Sequence, residues 1–163
     1  MAKQSKCAKY IVYEPPKPKP GEKPLGQPKR LVEAREKGNY FDATWLYALD
    51  NRVATGSFYT NCVWLWKKHG SEPLDIEIAH THNFDETLGF AGTVPGDPHA
   101  LGGEMDLWLE DEKFTITKSC LIYVPRGMKH LPLTLKRIDY PIFFWTAGNG
   151  TDYTRDSGNE EMV

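Results

Sequence analysis

A chain of 163 residues, 40% hydrophobic and 26% charged, has the length and make-up of one ordinary globular domain, which excludes whole-chain disorder and fibrous repeats. No run approaches the roughly 18 apolar residues of a membrane span, and the N-terminus lacks the apolar stretch of a secretory signal, so a cytoplasmic location away from membranes is expected. The net charge of −2 conceals an asymmetry: residues 1–30 carry eight Lys or Arg against two acids, so the remainder carries −8.

Six of the twelve prolines fall at positions 15, 16, 18, 20, 24 and 28. That density blocks helix and sheet interior and predicts an extended, polyproline-like basic arm. The arm lacks interleaved aromatics and the acidic body would repel phosphate, so nucleic acid is disfavoured against docking on an acidic face or plain solvation. LVEAREK then makes two helical turns before Gly38 stops it. YFDATWLYAL is too densely apolar to show a period and is taken as a short helix or buried cap.

From Gly56 onward the period is two. SFYTNCVWLW, LDIEIAH, ETLGFAG, EMDLWLE, KFTITKS, CLIYVP, KHLPLTLK and PIFFWTAG are short, rich in aromatic and β-branched residues, and separated by turn residues. Eight such strands without helical spacers predict an all-β, antiparallel sandwich or barrel of jelly-roll type. The chain thus divides into 1–50 (arm and helix or cap), 51–150 (β-barrel domain) and 151–163 (an acidic, polar, frayed tail). TVPGDPHALGG is expected as a flexible loop at the barrel mouth, free to close over the site, with His99 on it. Cys7, Cys62 and Cys120 form no Cys-x-x-Cys pair and are expected as reduced thiols.

His80 and His82 are two apart on an expected strand and leave the same face as Ile76 and Ile78, the buried one. Two inward histidines among isoleucines need hydrogen-bond partners or a metal. Glu86 follows a tight turn and starts the neighbouring strand, within reach of an ion held by both imidazoles. Pro125-Arg126-Gly127 reads as a turn that aims His130 back into the barrel. Three imidazoles and one carboxylate suit a single divalent transition metal such as Fe, Mn, Co, Ni or Zn, with coordination positions left open.

The pattern His80-x-His82-x3-Glu86-x5-Gly92, followed by Pro125-x-Gly127-x2-His130, resembles the two signature motifs of the cupin superfamily over roughly residues 56–147. The departures are Leu74, Ser119 and Thr134 at backbone or outer positions, with the closing Gly92 one residue early. The resemblance implies a small jelly-roll β-barrel in which His80, His82, Glu86 and His130 bind a divalent metal. It also implies a metal-dependent enzyme acting on a small organic substrate, oxygen-rich or of carboxylate or enol type: a dioxygenase, isomerase, decarboxylase or lyase. The alternative is a non-catalytic cupin that binds a small molecule.

Around the motifs, Phe84, Phe90, Phe144 and Trp145 are candidate pocket walls. Tyr123 and Lys129 are candidate acid–base groups, and Asp85 is a candidate partner for a ligand imidazole. If His130 faces inward, strict alternation sends Leu131, Leu133 and Leu135 outward, and Trp64 with Trp66 makes a second apolar outer face. Such faces call for a cover, either the N-terminal segment or another subunit, and a homodimer is the economical one.

Overall fold

In the computed structural model, which describes residues 7–17 and 26–163, a single α-helix precedes nine strands. Half of the prolines of the expected extended arm, Pro18, Pro20 and Pro24, lie outside the described residues. Helix α1 (Lys29–Glu36) matches the LVEAREK expectation, and Gly38 at φ 77° ends it with its N–H on the Arg35 carbonyl. No helix among the described residues is long and apolar enough to cross a membrane.

The strands are β1 (Tyr40–Leu49), β2 (Tyr59–His69), β3 (Leu74–Glu77), β4 (Glu86–Gly92), β5 (Ala100–Leu109), β6 (Glu112–Lys118), β7 (Cys120–Val124), β8 (His130–Ile138) and β9 (Ile142–Gly148). They form two antiparallel sheets, one ordered β1-β2-β9-β4-β7 and the other β3-β8-β5-β6. Without β1, the eight strands β2 to β9 form two four-stranded sheets with the strand order of a jelly roll. The core between the sheets comprises Val63, Leu65, Leu88, Phe90, Leu101, Met105, Leu107, Leu133, Leu135 and Ile142, all at most 5% exposed.

Three expectations are corrected. YFDATWLYAL is strand β1, not a helix or cap. Its pairing with β2 shifts register at Asp42/Ala43 and again at Trp45/Tyr47, and those two bulges erase the period of two.

The loop after Gly92 is shorter than expected, because residues 100–103 belong to β5, and Gly102, at φ 71°, sits where the β5–β6 pairing is irregular. That loop leaves β4 at the end opposite Glu86, next to Pro141, whose carbonyl accepts from Thr93 Oγ1 (2.7 Å). Neither it nor His99 stands near the histidines.

The leucines Leu131, Leu133 and Leu135 face inward together with His130, all at most 5% exposed. Leu131 adopts a positive φ of 66°, and the β5 partner shifts register at Leu107/Leu109, so alternation restarts after His130. The outer side of β8 instead shows Thr134, bonded to Asp75 (2.6 Å), and Lys136, paired with Glu104 (3.0 Å) and Asp106 (2.9 Å).

Candidate metal centre

The two motifs meet through the backbone before their side chains do. His80 and His130 exchange a pair of N–H···O=C bonds (3.1 Å each), and the Gly127 N–H donates to the His82 carbonyl (2.9 Å). Gly127 is at φ 79°, and Met128 N–H closes the turn on the Pro125 carbonyl (3.0 Å), as the Pro-x-Gly sequence requires. Glu86 opens β4 opposite Val124 and Gly148 and projects to the same point.

One donor atom from each of His80, His82, Glu86 and His130 lies within 4.8 Å of the others, and none of the four residues is more than 2% exposed. Each imidazole is oriented by a carbonyl, which can only accept. His80 Nδ1 donates to Ile78 O (2.7 Å), His82 Nδ1 to Thr154 O (2.5 Å) and His130 Nδ1 to Met128 O (3.1 Å). With the ring proton fixed on Nδ1, each neutral ring turns its Nε2 lone pair toward the common centre.

The spacings suit an ion at that centre. His80 Nε2 to His82 Nε2 is 3.0 Å, His82 Nε2 to Glu86 Oε2 is 3.4 Å, and His130 Nε2 to Glu86 Oε2 is 3.1 Å. Two atoms each about 2.1 Å from one ion and at right angles lie about 3 Å apart. Glu86 Oε2 and His130 Nε2 are both buried without a hydrogen-bond partner. A carboxylate oxygen facing imidazole lone pairs is repulsive unless positive charge lies between them, so this donor set fits a divalent cation.

The electrostatics agree. Burial pushes the His80 imidazole down to about 3, assisted by His130, Arg155 and His82 and opposed by its bond to Ile78 O, so the ring stays neutral at physiological pH. Burial raises the Glu86 carboxyl, but the polar groups around it, the donated Tyr59 hydroxyl among them, outweigh that and hold it at about 2. Glu86 is therefore the anionic member of the set.

Sequence reasoning missed the groups that close the site. Tyr59, 1% exposed, donates its hydroxyl to Glu86 Oε1 and lies beside Thr146 Oγ1. It shares strand parity with Val63 and Leu65, a signal present in the sequence. The C-terminal segment is not frayed. Asp156 N–H bonds Thr81 O (3.0 Å), Thr81 Oγ1 meets Ser157 Oγ (3.1 Å), and Glu161 O accepts from Lys29 N–H (2.9 Å). Lys29 and Arg30, the last basic residues of the 1–30 stretch, pair with Glu161 and Glu160 of this strap.

The strap brings Tyr153 to 3.3 Å from His80 Nε2, with Arg155 Nε donating to the Tyr153 hydroxyl (2.9 Å) and Arg155 Nη2 paired with Glu77 (2.8 Å). Burial and the Glu77 carboxylate push the Tyr153 phenol well above its usual range.

Of the remaining candidates, Phe84 stacks on His82 (4.6 Å, 15°) and walls the site, whereas Phe90 and Phe144 stack on each other in the core (4.9 Å). Trp145 lies outside the barrel over Gly89, and Tyr123 is 63% exposed, away from the histidines. Lys129 N–H bonds Glu110, and Asp85 accepts from Arg126 N–H (2.9 Å) and Asn149 Nδ2 (2.9 Å) and touches no imidazole. A hollow of about 560 Å³, bordered by Phe58, Asp85, Thr87, Tyr123 and Asn149, reaches Glu86, while the three histidines are buried.

No family model and no curated protein matches the chain. Among solved structures, recombinant oxalate oxidase in complex with glycolate aligns at a TM-score of 0.48 and 12% identity, over 90% of this chain and 62% of that one. A variant of Bacillus subtilis oxalate decarboxylase aligns at 0.45 and 14% identity, over 74% of this chain and 28% of that one. KdgF from Halomonas sp. aligns at 0.40 and 14% identity, over 66% and 77%. This chain thus spans less than two thirds of the length of the first two.

Proposed function

We propose that the chain is a metal-dependent enzyme acting on a small, oxygen-bearing organic molecule, with His80, His82, Glu86 and His130 holding one divalent transition-metal ion. The observation that carries this reading is the orphaned pair Glu86 Oε2 and His130 Nε2 at the focus of three fixed Nε2 lone pairs. When bound, such an ion supplies Lewis acidity toward substrate oxygens and, if it is iron or manganese, one-electron chemistry.

The chain's own residues do the rest. The three carbonyl-locked imidazoles hold their donor atoms in place without reorganisation, and the Tyr59 hydroxyl ties down the second oxygen of Glu86, leaving Oε2 to face inward. Phe84 and the strap exclude water, which strengthens every charge interaction inside.

A second reading, a non-catalytic cupin that binds a small molecule, is favoured by one feature: the buried centre, with each ligand candidate at most 2% exposed. Elemental analysis of the purified protein tests the shared premise. About one equivalent of transition metal per chain is expected, and His80→Ala and His82→Ala should each lose most of it. Undiminished metal in both variants overturns the ligand assignment. A substrate screen with and without oxygen then separates the two readings, since the binder would show retention of a small molecule without turnover.

A further inference from the structure

We propose that the Tyr153 hydroxyl oxygen is a fifth protein ligand of this ion, delivered by the C-terminal strap; the inference rests on the metal-centre reading above. Its first support is spacing. Tyr153 Oη stands 3.3 Å from His80 Nε2, inside the 3.0–3.4 Å range that separates neighbouring donor atoms of the three histidines and Glu86. That is the separation of two atoms sharing an ion at right angles, each about 2.1 Å from it.

The second support is the chemistry of the contact. His80 carries its proton on Nδ1, so without an ion the phenol O–H points its hydrogen at the Nε2 lone pair. An ion held by His80 Nε2 would occupy that lone pair and remove the phenol's acceptor, leaving the phenol oxygen free to bind the ion. Arg155 Nε holds the oxygen at 2.9 Å, and Arg155 is itself anchored by Glu77 at 2.8 Å, with Glu160 at 4.0 Å. Tyr59 packs edge-on against the Tyr153 ring (5.2 Å between centroids), which limits its swing. On ligation the O–H bond is exchanged for an oxygen–metal bond and the proton leaves to water. The phenolate and Glu86 then balance a divalent charge, with the Arg155 guanidinium beside the phenolate.

The third support is that the strap already belongs to the centre. The residue next to Tyr153 supplies the carbonyl that fixes the His82 ring (2.5 Å). Tyr153, Thr154 and Arg155 therefore act on the site from three consecutive positions, and docking of the strap and binding of the ion favour each other. Three histidines, Glu86 and Tyr153 leave one position of a six-coordinate ion for substrate.

The test uses the full chain loaded with iron and oxidised to the ferric state, because a phenolate on ferric iron gives a visible charge-transfer band. Metal content is measured in the same samples. The expected result is a coloured wild type, a coloured variant at the exposed Tyr123 (Tyr123→Phe) and a colourless Tyr153→Phe variant, each holding about one equivalent of iron. Tyr153→Phe keeps the ring that packs on Tyr59 and His82, and circular dichroism of both variants confirms that the fold is retained. Iron-loaded wild type without the band, or a band that survives in Tyr153→Phe, overturns the fifth ligand and leaves the centre of three histidines and Glu86 standing. Wild type that binds no metal ion of any kind overturns both.

Discussion

Acidification of the metal-stripped protein should destabilise it in a window set by His80. The ring is buried, its Nδ1 proton is committed to Ile78 O, and its folded-state value is about 3 against 6.5 for a free imidazole. The unfolded chain therefore takes up a proton on His80 near pH 6.5 and the folded chain does not. Stability due to this group is fully present above pH 6.5 and falls as the pH drops toward 3. Each pH unit inside that window costs about 1.4 kcal/mol, so moving from pH 6.5 to pH 5 removes about 2 kcal/mol. For a domain of this size that is a fall in Tm of roughly 4–8 °C. Below pH 4.5, protonation of Glu86 in the unfolded chain, against about 2 in the folded one, steepens the loss. The assay is urea unfolding in the presence of a chelator at half-unit steps of pH, alongside His80→Gln, whose profile should be flatter between pH 6.5 and 5. A wild-type profile that is level over that interval, or one that His80→Gln reproduces, would refute the argument.

Glu86→Gln should weaken metal binding and leave some occupancy, since three imidazoles remain but the anionic donor is gone; chelator competition measures it. Leu135→Ala should cost about 2–5 kcal/mol in chemical unfolding because the side chain is fully buried between the sheets, whereas an outward leucine would cost almost nothing. Gly89→Ala should destabilise by about 1–3 kcal/mol in the same assay, as its new methyl would fall 2.0 Å from Trp145 Cε2. Trp64, Trp66, Phe143 and Trp145 form a continuous aromatic row on the outer face of the five-stranded sheet, with Trp66 43% exposed. A second copy of the chain covering that row predicts a particle larger than 18.6 kDa by light scattering, and a monomer mass at micromolar concentration would contradict it.

The eight barrel strands and the convergence of His80, His82, Glu86 and His130 are legible in the sequence because each depends on short-range rules. Period-two alternation marks a strand, and Pro125-x-Gly127 sets a turn three residues before His130. What fails is any inference that runs strict alternation through an irregularity. Two bulges hide β1, and a positive φ at Leu131 reverses the leucine face. Leu131 is not a residue type that announces a positive φ, since glycine or asparagine usually does, and nothing in Trp45–Tyr47 marks a register shift. The strap escapes for another reason. The contacts that bring Tyr153 and Thr154 to the centre join residues 73 and 72 positions apart, and no local pattern in a polar tail encodes them.

The misplaced loop, by contrast, is within reach of the sequence. Glu86 reads as the first residue of its strand, and the loop follows the same strand's last residue, Gly92. A strand of seven residues rising about 3.3 Å each puts its two ends about 20 Å apart. A ligand at the start of a strand and a loop at its finish therefore belong to opposite ends of the barrel. Cover for the end that holds the histidines comes from segments joined to strand ends there. β9 is one such strand, because its last residue, Gly148, pairs with Glu86, and the chain beyond Gly148 is the strap. At the end where His80, His82, Glu86 and His130 meet, residues 149–163 thus supply Tyr153 and Thr154 to the histidines, whereas residues 93–99 lie at the other end.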